Sequence, residues 1–335
     1  MENYSSSENS QPIDAVIAWV DGSDPRLAEK RSRYIKGTVK SPGSSAHPTR
    51  FASINEINYC VLSIFKFAPF IRNVFIITDG QDPDIYEDIK KHFPERLESL
   101  KIIDHTEIFE GFEEYLPTFN SISIGNMIWR IKGLSDNFVY FNDDTFLIKT
   151  TTPEDWFINN KPVLRGKWVP APLFRILWKG IQITVNKHLL KKTDYEPRTS
   201  FHMGQWNSAS LLGFKYRYFT NSHTPHTVEK KTVESFFKRN KTILEQNISY
   251  RFRHSRQFTF IALSNHLQLM AGNHHIAKPG LAYLQPYNRY KNYLNRKIKY
   301  LENNSEIKFL CVQSLEMCAK EEQEIFFNWM EKILE

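Results

Sequence analysis

Four apolar runs of strand length in this chain each give way to an aspartate. Ile13 to Val20 leads into Asp21, Asn73 to Thr78 into Asp79, Leu100 to Ile103 into Asp104, and Phe138 to Phe141 into Asn142-Asp143-Asp144. Short runs rich in β-branched and aromatic residues and bounded by polar clusters are the pattern of buried strands. Helical spacing fills the intervals between them. Ile57, Val61, Ile64, Phe65 and Ala68 follow a Ser53/Glu56 capping box and stop at Pro69. Asp82-Pro83 opens a second helix in the N-cap/N1 arrangement, with Ile85, Ile89 and Phe93 inside it. A third runs from Ser121 to Gly133, a plausible C′ glycine. Strand–helix alternation predicts an α/β fold, a mostly parallel sheet with helices on both faces. Ligands of such sheets bind at the carboxyl ends of the strands, where all four aspartates fall.

The last position in that set is the most telling. Two adjacent carboxylates at a strand end repel each other unless a cation or hydrogen bonds offset the charge. Oxygen-only ligands suit Mg²⁺ or Mn²⁺ bridging to substrate phosphates, which makes Asp143 and Asp144 candidate metal ligands. An Asx-rich turn accounts for the same residues without a metal. Asp21-Gly22-Ser23-Asp24-Pro25 carries the same pair of readings.

Beyond residue 150 the pattern loosens. Residues 151–220 are rich in Trp, Pro and Arg and are expected to form an irregular insertion over the sheet edge, within one catalytic domain spanning 13–335. Residues 1–12 are expected to be a disordered tail, 37–49 a mobile loop, and 273–335 a basic, helical C-terminal region. An amphipathic helix is expected from Ser314 to Leu334. Cys311 and Cys318, seven apart, would share one face of a continuous helix as buried apolar groups. With Cys60 they make three cysteines, an odd count without a CxxC pair, which argues against a disulfide framework or structural zinc.

The formal net charge of +7 favours an anionic partner without choosing one. Three stretches bear on that choice. His223-Thr224-Pro225-His226 presents two imidazoles on an extended segment. Arg251-Phe252-Arg253-His254-Ser255-Arg256 offers guanidinium forks suited to phosphate, or simply a solvated basic face. Arg289 to Tyr300 is basic with interleaved tyrosines, open to an anionic membrane surface, to nucleic acid, or to a plain exposed helix. Nucleic acid is the weaker partner, because the acidic strand ends repel it. No run reaches the ~18 apolar residues of a membrane span and the first residues lack a secretory core, so a cytoplasmic protein with at most peripheral membrane contact is expected.

These stretches, in this order, resemble the Stealth family of sugar-1-phosphate transferases. Residues 13–25 form one block of the likeness. A longer one runs from Arg50-Phe51 through Asn55-Glu56, Phe75 to Gln81, Asp104-His105 and Leu116 to Ser121, and closes at Asp144. His223 to His226 form a third, and Arg251 to Ser255 a weaker fourth. The resemblance implies transfer of a sugar-1-phosphate from a UDP-sugar to a sugar hydroxyl of a growing polysaccharide or lipid-linked glycan, with UMP leaving and Mg²⁺ or Mn²⁺ required. By position it implies catalytic roles for Asp144, His223, His226 and Arg253, and metal binding by Asp143 and Asp144. Donor binding would fall to Asp21, Gly22, Asp24, Arg50 and Asn120. His226, titrating near neutrality, would be the general base. A metal-dependent glycosyltransferase releasing UDP would share the donor, the metal and the sheet.

Overall fold

The first strand, β1 (Ile13–Ala18), is buried at five of its six positions because both faces of its sheet are covered. The structure is a computed structural model and describes residues 11–35, 54–192 and 195–335. The expected loop 37–49, Ser53 of the capping box, Arg50, and all but the last two residues of the expected tail lie outside the described residues.

Asp24 caps α1 (Pro25–Ser32), its carboxylate accepting from the Arg26 amide at 2.8 Å. Then comes α2 (Glu56–Phe67), buried around most of its circumference, and β2 (Ile71–Thr78). The helix expected from Asp82-Pro83 starts later, as α3 (Tyr86–His92). Asp82 accepts from the Asp84 amide at 2.9 Å, and Asp84 sits at a φ of 51°, so these residues close an Asx turn instead of a helix cap. β3 (Leu100–Asp104) runs into α4 (His105–Ile108) through a capping box of Asp104 and Glu107. The third expected helix is broken: α5 (Ser121–Gly125) is followed by a 3₁₀ turn at Ile128–Arg130, and Gly133 ends the segment at a φ of +83°. β4 (Asn137–Asn142) and β5 (Thr145–Leu147) then flank Asp143-Asp144.

The loosely patterned span that follows holds β6 (Phe157–Ile158), β7 (Lys161–Pro170), α6 (Leu173–Thr184), α7 (Phe201–Leu211) and β8 (Arg217–Asn221). Next are β9 (His226–Glu229), α8 (Lys230–Arg239), α9 (Lys241–Ile248) and α10 (Phe260–Ala271), the last closed by Gly272 in the left-handed region. The C-terminal part contains β10 (His275–Ala277), β11 (Leu281–Leu284), α11 (Tyr293–Glu302), β12 (Phe309–Val312) and α12 (Lys320–Leu334). Cys311 therefore lies on a strand and Cys318 beyond a 3₁₀ turn, not on one helix face. All three cysteines are free thiols, and Cys60 and Cys311 are buried.

The main sheet has the order β3-β2-β1-β4-β9, parallel except for β9 against β4. Ala18 pairs with both Ile77 and Asn142, and Thr78 with Asp104, so four strands end level. Asp21, Asp79, Asp104 and Asp143 thus leave from one edge. Side-chain alternation sends Ala15, Ile17, Val74, Ile76, Val139 and Phe141 into a core shared with α2 and α12. Val16, Phe75, Ile77 and Phe138 enter a second core with α8, α9 and α10. A three-stranded sheet, β11-β12-β5, ties the C-terminal part to the strand that follows the acidic turn. β7 pairs with β6, β8 and β10 to form another sheet beside it.

Candidate active site

Asp143 and Asp144 occupy the two-residue turn between β4 and β5. β12 holds that turn in place, since the Val312 amide donates to the Asp144 carbonyl at 3.0 Å and Cys311 pairs with Thr145. Thr145 Oγ1 donates to Asp144 Oδ1 at 3.3 Å. Burial raises the proton affinity of both carboxyls above the usual range, and for Asp143 the Asp144 charge adds to it. Glu316 presses on both from the turn after β12. Glu56, at the start of α2, is pushed up to about 8 by burial and then by Asp143.

Five carboxylates, Glu56, Asp79, Asp143, Asp144 and Glu316, line one cavity of about 780 Å³. Among the described residues no group of three or more His, Cys, Asp or Glu is arranged to hold a metal by itself. Two adjacent carboxylates under mutual strain are nonetheless the donor set that suits Mg²⁺ or Mn²⁺. Mg²⁺ takes one or two carboxylates, keeps several waters and completes its shell with substrate phosphates.

The opposite wall comes from the later part of the chain. β9 pairs antiparallel with β4, setting His226 beside Tyr140. His226 is buried, and its Nε2 lies 3.3 Å from Asn221 Nδ2. With that amide donating, Nε2 is an acceptor and the proton sits on Nδ1. Burial, with His223 and Arg165 nearby, pushes its pKa from 6.5 to about 3. The expectation of an imidazole titrating near neutrality is thereby corrected: in the free protein His226 stays neutral. His223 is stacked between Phe201 and Tyr283, at centroid distances of 5.0 and 4.9 Å. Burial lowers its proton affinity too.

The His226 shift has a consequence for stability. Between about pH 6.5 and 3 the unfolded chain binds a proton here that the folded protein refuses, so stability falls as the pH falls. At about pH 4 this residue alone should cost about 3 kcal/mol relative to neutral pH. His226→Gln should remove that share of the acid sensitivity, as read by urea unfolding at both pH values. An equal acid loss in parent and variant would show that the imidazole is not held neutral.

Arg253 reaches the cavity beside Ser121, to whose Oγ its Nη2 donates at 2.6 Å. Asn120 explains how this pair is set. Its Nδ2 donates to the Tyr250 carbonyl at 2.8 Å and to Gln257 Oε1 at 2.9 Å, and its Oδ1 accepts from the Ile122 amide at 3.1 Å. Asn120 is fully buried with its amide committed to the protein. It was expected to bind the donor; the structure makes it the bracket that fixes the Arg253 loop against α5. Asp21, Gly22 and Asp24 are likewise drawn into the β1–α1 loop. Asp21 accepts from the Ser23 amide at 2.8 Å, and Asp24 caps α1 and takes Gln81 Nε2 at 3.1 Å. From this segment it is Trp19, Val20 and Leu27 that line the cavity. Arg50 is outside the described residues.

At the β2–β3 end, Lys30 Nζ contacts both oxygens of Asp79 at 2.9 Å, and the buried His105 lies 3.7 Å from the same carboxylate. The structure thus joins Asp143, Asp144, His223, His226 and Arg253 in one cavity, while Asp21, Gly22, Asp24 and Asn120 are not part of its lining. Glu316 and Tyr283 were not foreseen as site residues. Glu316 lines the cavity from the turn after β12, and Tyr283 of β11 stacks on His223; the β11–β12 pairing that sets them has no local signature. Glu56 was recognised only as a helix start.

The chain matches the model of Stealth protein conserved region 1 over residues 11–38 and that of Stealth protein conserved region 2 over residues 50–164. It is 36% identical over 183 residues to capsular polysaccharide phosphotransferase eps5J of Streptococcus thermophilus, covering 54% of this chain and 73% of that one. To capsular polysaccharide phosphotransferase WcwK of Streptococcus pneumoniae it is 28% identical over 323 residues, 93% of each chain. The protein belongs to the Stealth family. Four other curated phosphotransferases match at 40% identity over 149 residues, and this chain spans only 24–39% of their length. Among solved structures, galactosyltransferase LgtC in complex with donor and acceptor sugar analogs is 10% identical, with 95% of each chain covered and a TM-score of 0.42, a likeness too distant to bear on activity.

Proposed function

We propose that this protein transfers a sugar-1-phosphate from a UDP-sugar to a hydroxyl of a growing surface polysaccharide or lipid-linked glycan, in the cytoplasm at the inner face of the cell membrane. The observation that carries the reading is the convergence of an acidic pair, two histidines and an arginine on one cavity. The relatives' names, capsular and exopolysaccharide phosphotransferases, support it.

In this reading the acceptor oxygen attacks the β-phosphorus. The bond from that phosphorus to the bridging oxygen breaks, UMP leaves with the electron pair, and a phosphodiester remains. Asp143 and Asp144 would hold Mg²⁺ or Mn²⁺, which supplies charge neutralisation for the phosphate oxygens when bound. Without a cation Glu56, Asp143, Asp144 and Glu316, which face the cavity together, would repel a diphosphate, so donor binding should require one. Arg253, held by Ser121, places its guanidinium against a phosphate oxygen. His226 is neutral and would take the acceptor's proton at Nε2 once the Asn221 amide gives up that lone pair, and an anionic donor beside it would raise its low proton affinity. His223, clamped between two rings, orients the acceptor.

The test is incubation with a panel of UDP-sugars and Mg²⁺ or Mn²⁺, reading the released nucleotide. UMP with a phosphodiester product is expected. UDP as the sole nucleotide would replace this reading with glycosyl transfer.

A further inference from the structure

Helix α6 is packed the wrong way out for a soluble protein. None of its residues is buried. Leu173, Leu177 and Ile181 share one stripe at i, i+4 spacing, with Phe174 and Trp178 beside them, and this stripe faces solvent. Leu173 is 68% exposed, Phe174 78% and Leu177 64%. On the other side the half-buried Lys179 anchors the helix, its Nζ donating to the Ser255 carbonyl at 2.9 Å, while the exposed Arg175 Nη1 lies 3.5 Å from Ser200 Oγ. A π-helical turn at Val185–Leu189 carries the apolar surface on to Leu189 and Leu190, both exposed.

The charge around this surface indicates what covers it. Between residues 166 and 193 the sequence contains Lys167, Arg175, Lys179, Lys187, Lys191 and Lys192 and no Asp or Glu; Glu196 beyond them lies 3.7 Å from Lys187. Lys191 and Lys192 are exposed directly after Leu189-Leu190. At the other end the Ala171 amide donates to the Tyr216 carbonyl at 2.8 Å, bringing exposed Lys215, Tyr216 and Arg217 to the start of α6. An apolar stripe with Trp and Phe, bounded at each end by basic residues, matches a helix lying in the plane of an anionic bilayer surface. No helix among the described residues is long and apolar enough to cross a membrane.

Other occupants fit less well. A second copy packed antiparallel through this stripe would set Lys191-Lys192 against Lys215 and Arg217, like charge against like charge. Residues 1–10, 36–53 and 193–194 contain only Met1, Tyr4, Val39 and Phe51 as larger apolar side chains, too few to cover the stripe.

We propose that α6 and the turn after it dock the protein on an anionic phospholipid surface. Thr199, Ser200 and Phe201, just beyond this element, line the catalytic cavity, so docking would lay the cavity mouth near the lipid. The proposal stands whatever reaction the cavity performs.

Flotation of the full chain with vesicles tests it. The protein should float with equal parts phosphatidylglycerol and phosphatidylcholine and stay behind with phosphatidylcholine alone. Phe174→Glu/Leu177→Glu and, separately, Lys191→Glu/Lys192→Glu should each lower the bound fraction about tenfold or more. All four side chains are exposed, so circular dichroism and Tm should match the parent. Failure of the parent to float, or flotation of both variants at parental levels, would overturn the proposal. So would a parental dimer that Phe174→Glu/Leu177→Glu dissociates.

Discussion

Asp144→Ala is expected to lower turnover about a thousandfold or more while leaving the fold at least as stable as the parent. The two halves of this expectation have one cause. Asp144 is held in a half-buried turn next to Asp143, with Glu316 nearby, and its folded form resists ionisation. An acid whose pKa is raised on folding costs stability at every pH above its unfolded value. At neutral pH the parent bears that cost and Asp144→Ala does not. The hydrogen bond to this side chain from Thr145 Oγ1, at 3.3 Å, is too long to offset much of it. A residue retained at a cost to the fold is expected where function needs it. In a chelator the variant's Tm should equal or exceed the parent's. Adding Mg²⁺ or Mn²⁺ should raise the parent's Tm and leave the variant's unmoved, since a ligand stabilises only the state that binds it. Near-parental turnover would remove Asp144 from the chemistry. A lower Tm in chelator would make it a structural residue.

The same contrast separates what could be read in the sequence from what could not. β1 to β4 were legible because burial on both faces turns each strand into a continuous apolar run, and their common edge followed from the strand–helix alternation. The acidic turn, His223, His226 and Arg253 were legible as residue types suited to phosphate chemistry, and the structure brings them together. Contacts made across long stretches of chain were not legible. Asn120 was expected to bind the donor, and its partners Tyr250 and Gln257 lie 130 and 137 positions away. The low proton affinity of His226 arises from burial and from His223 and Arg165, a combination no local pattern announces. Asp82-Pro83 had the local form of a helix start, but the left-handed backbone at Asp84 outweighed it. Cys311 sits in a strand of four residues, too short for any period to show.

Asp14 makes the lesson quantitative, because it belongs to the same sequence block as Asp21 and Asp24 but sits at the opposite end of the sheet. It is fully buried near the start of β1. Its Oδ1 accepts from Arg72 Nε at 2.9 Å and from the Asn73 amide at 3.1 Å; its Oδ2 accepts from Arg72 Nη2 at 2.6 Å and from the Ser135 amide at 2.7 Å. One carboxylate thus joins β1 to the start of β2 and to the chain entering β4. Arg72 also donates to the Gly133 carbonyl at 2.9 Å, closing the same corner. Asp14→Ala strands two backbone amides in a buried place and leaves a half-buried guanidinium without its partner. Breaking one side of a buried, hydrogen-bonded pair costs about 3–5 kcal/mol, and the exposed part of Arg72 puts the expected loss near the lower end. The denaturant midpoint should drop accordingly. Because the cavity lies at the other edge, the folded fraction should keep the parent's affinity for its donor. A loss below about 1 kcal/mol would mean that water replaces the carboxylate at that corner. A selective loss of donor binding would mean that the two ends of the sheet are coupled through β1.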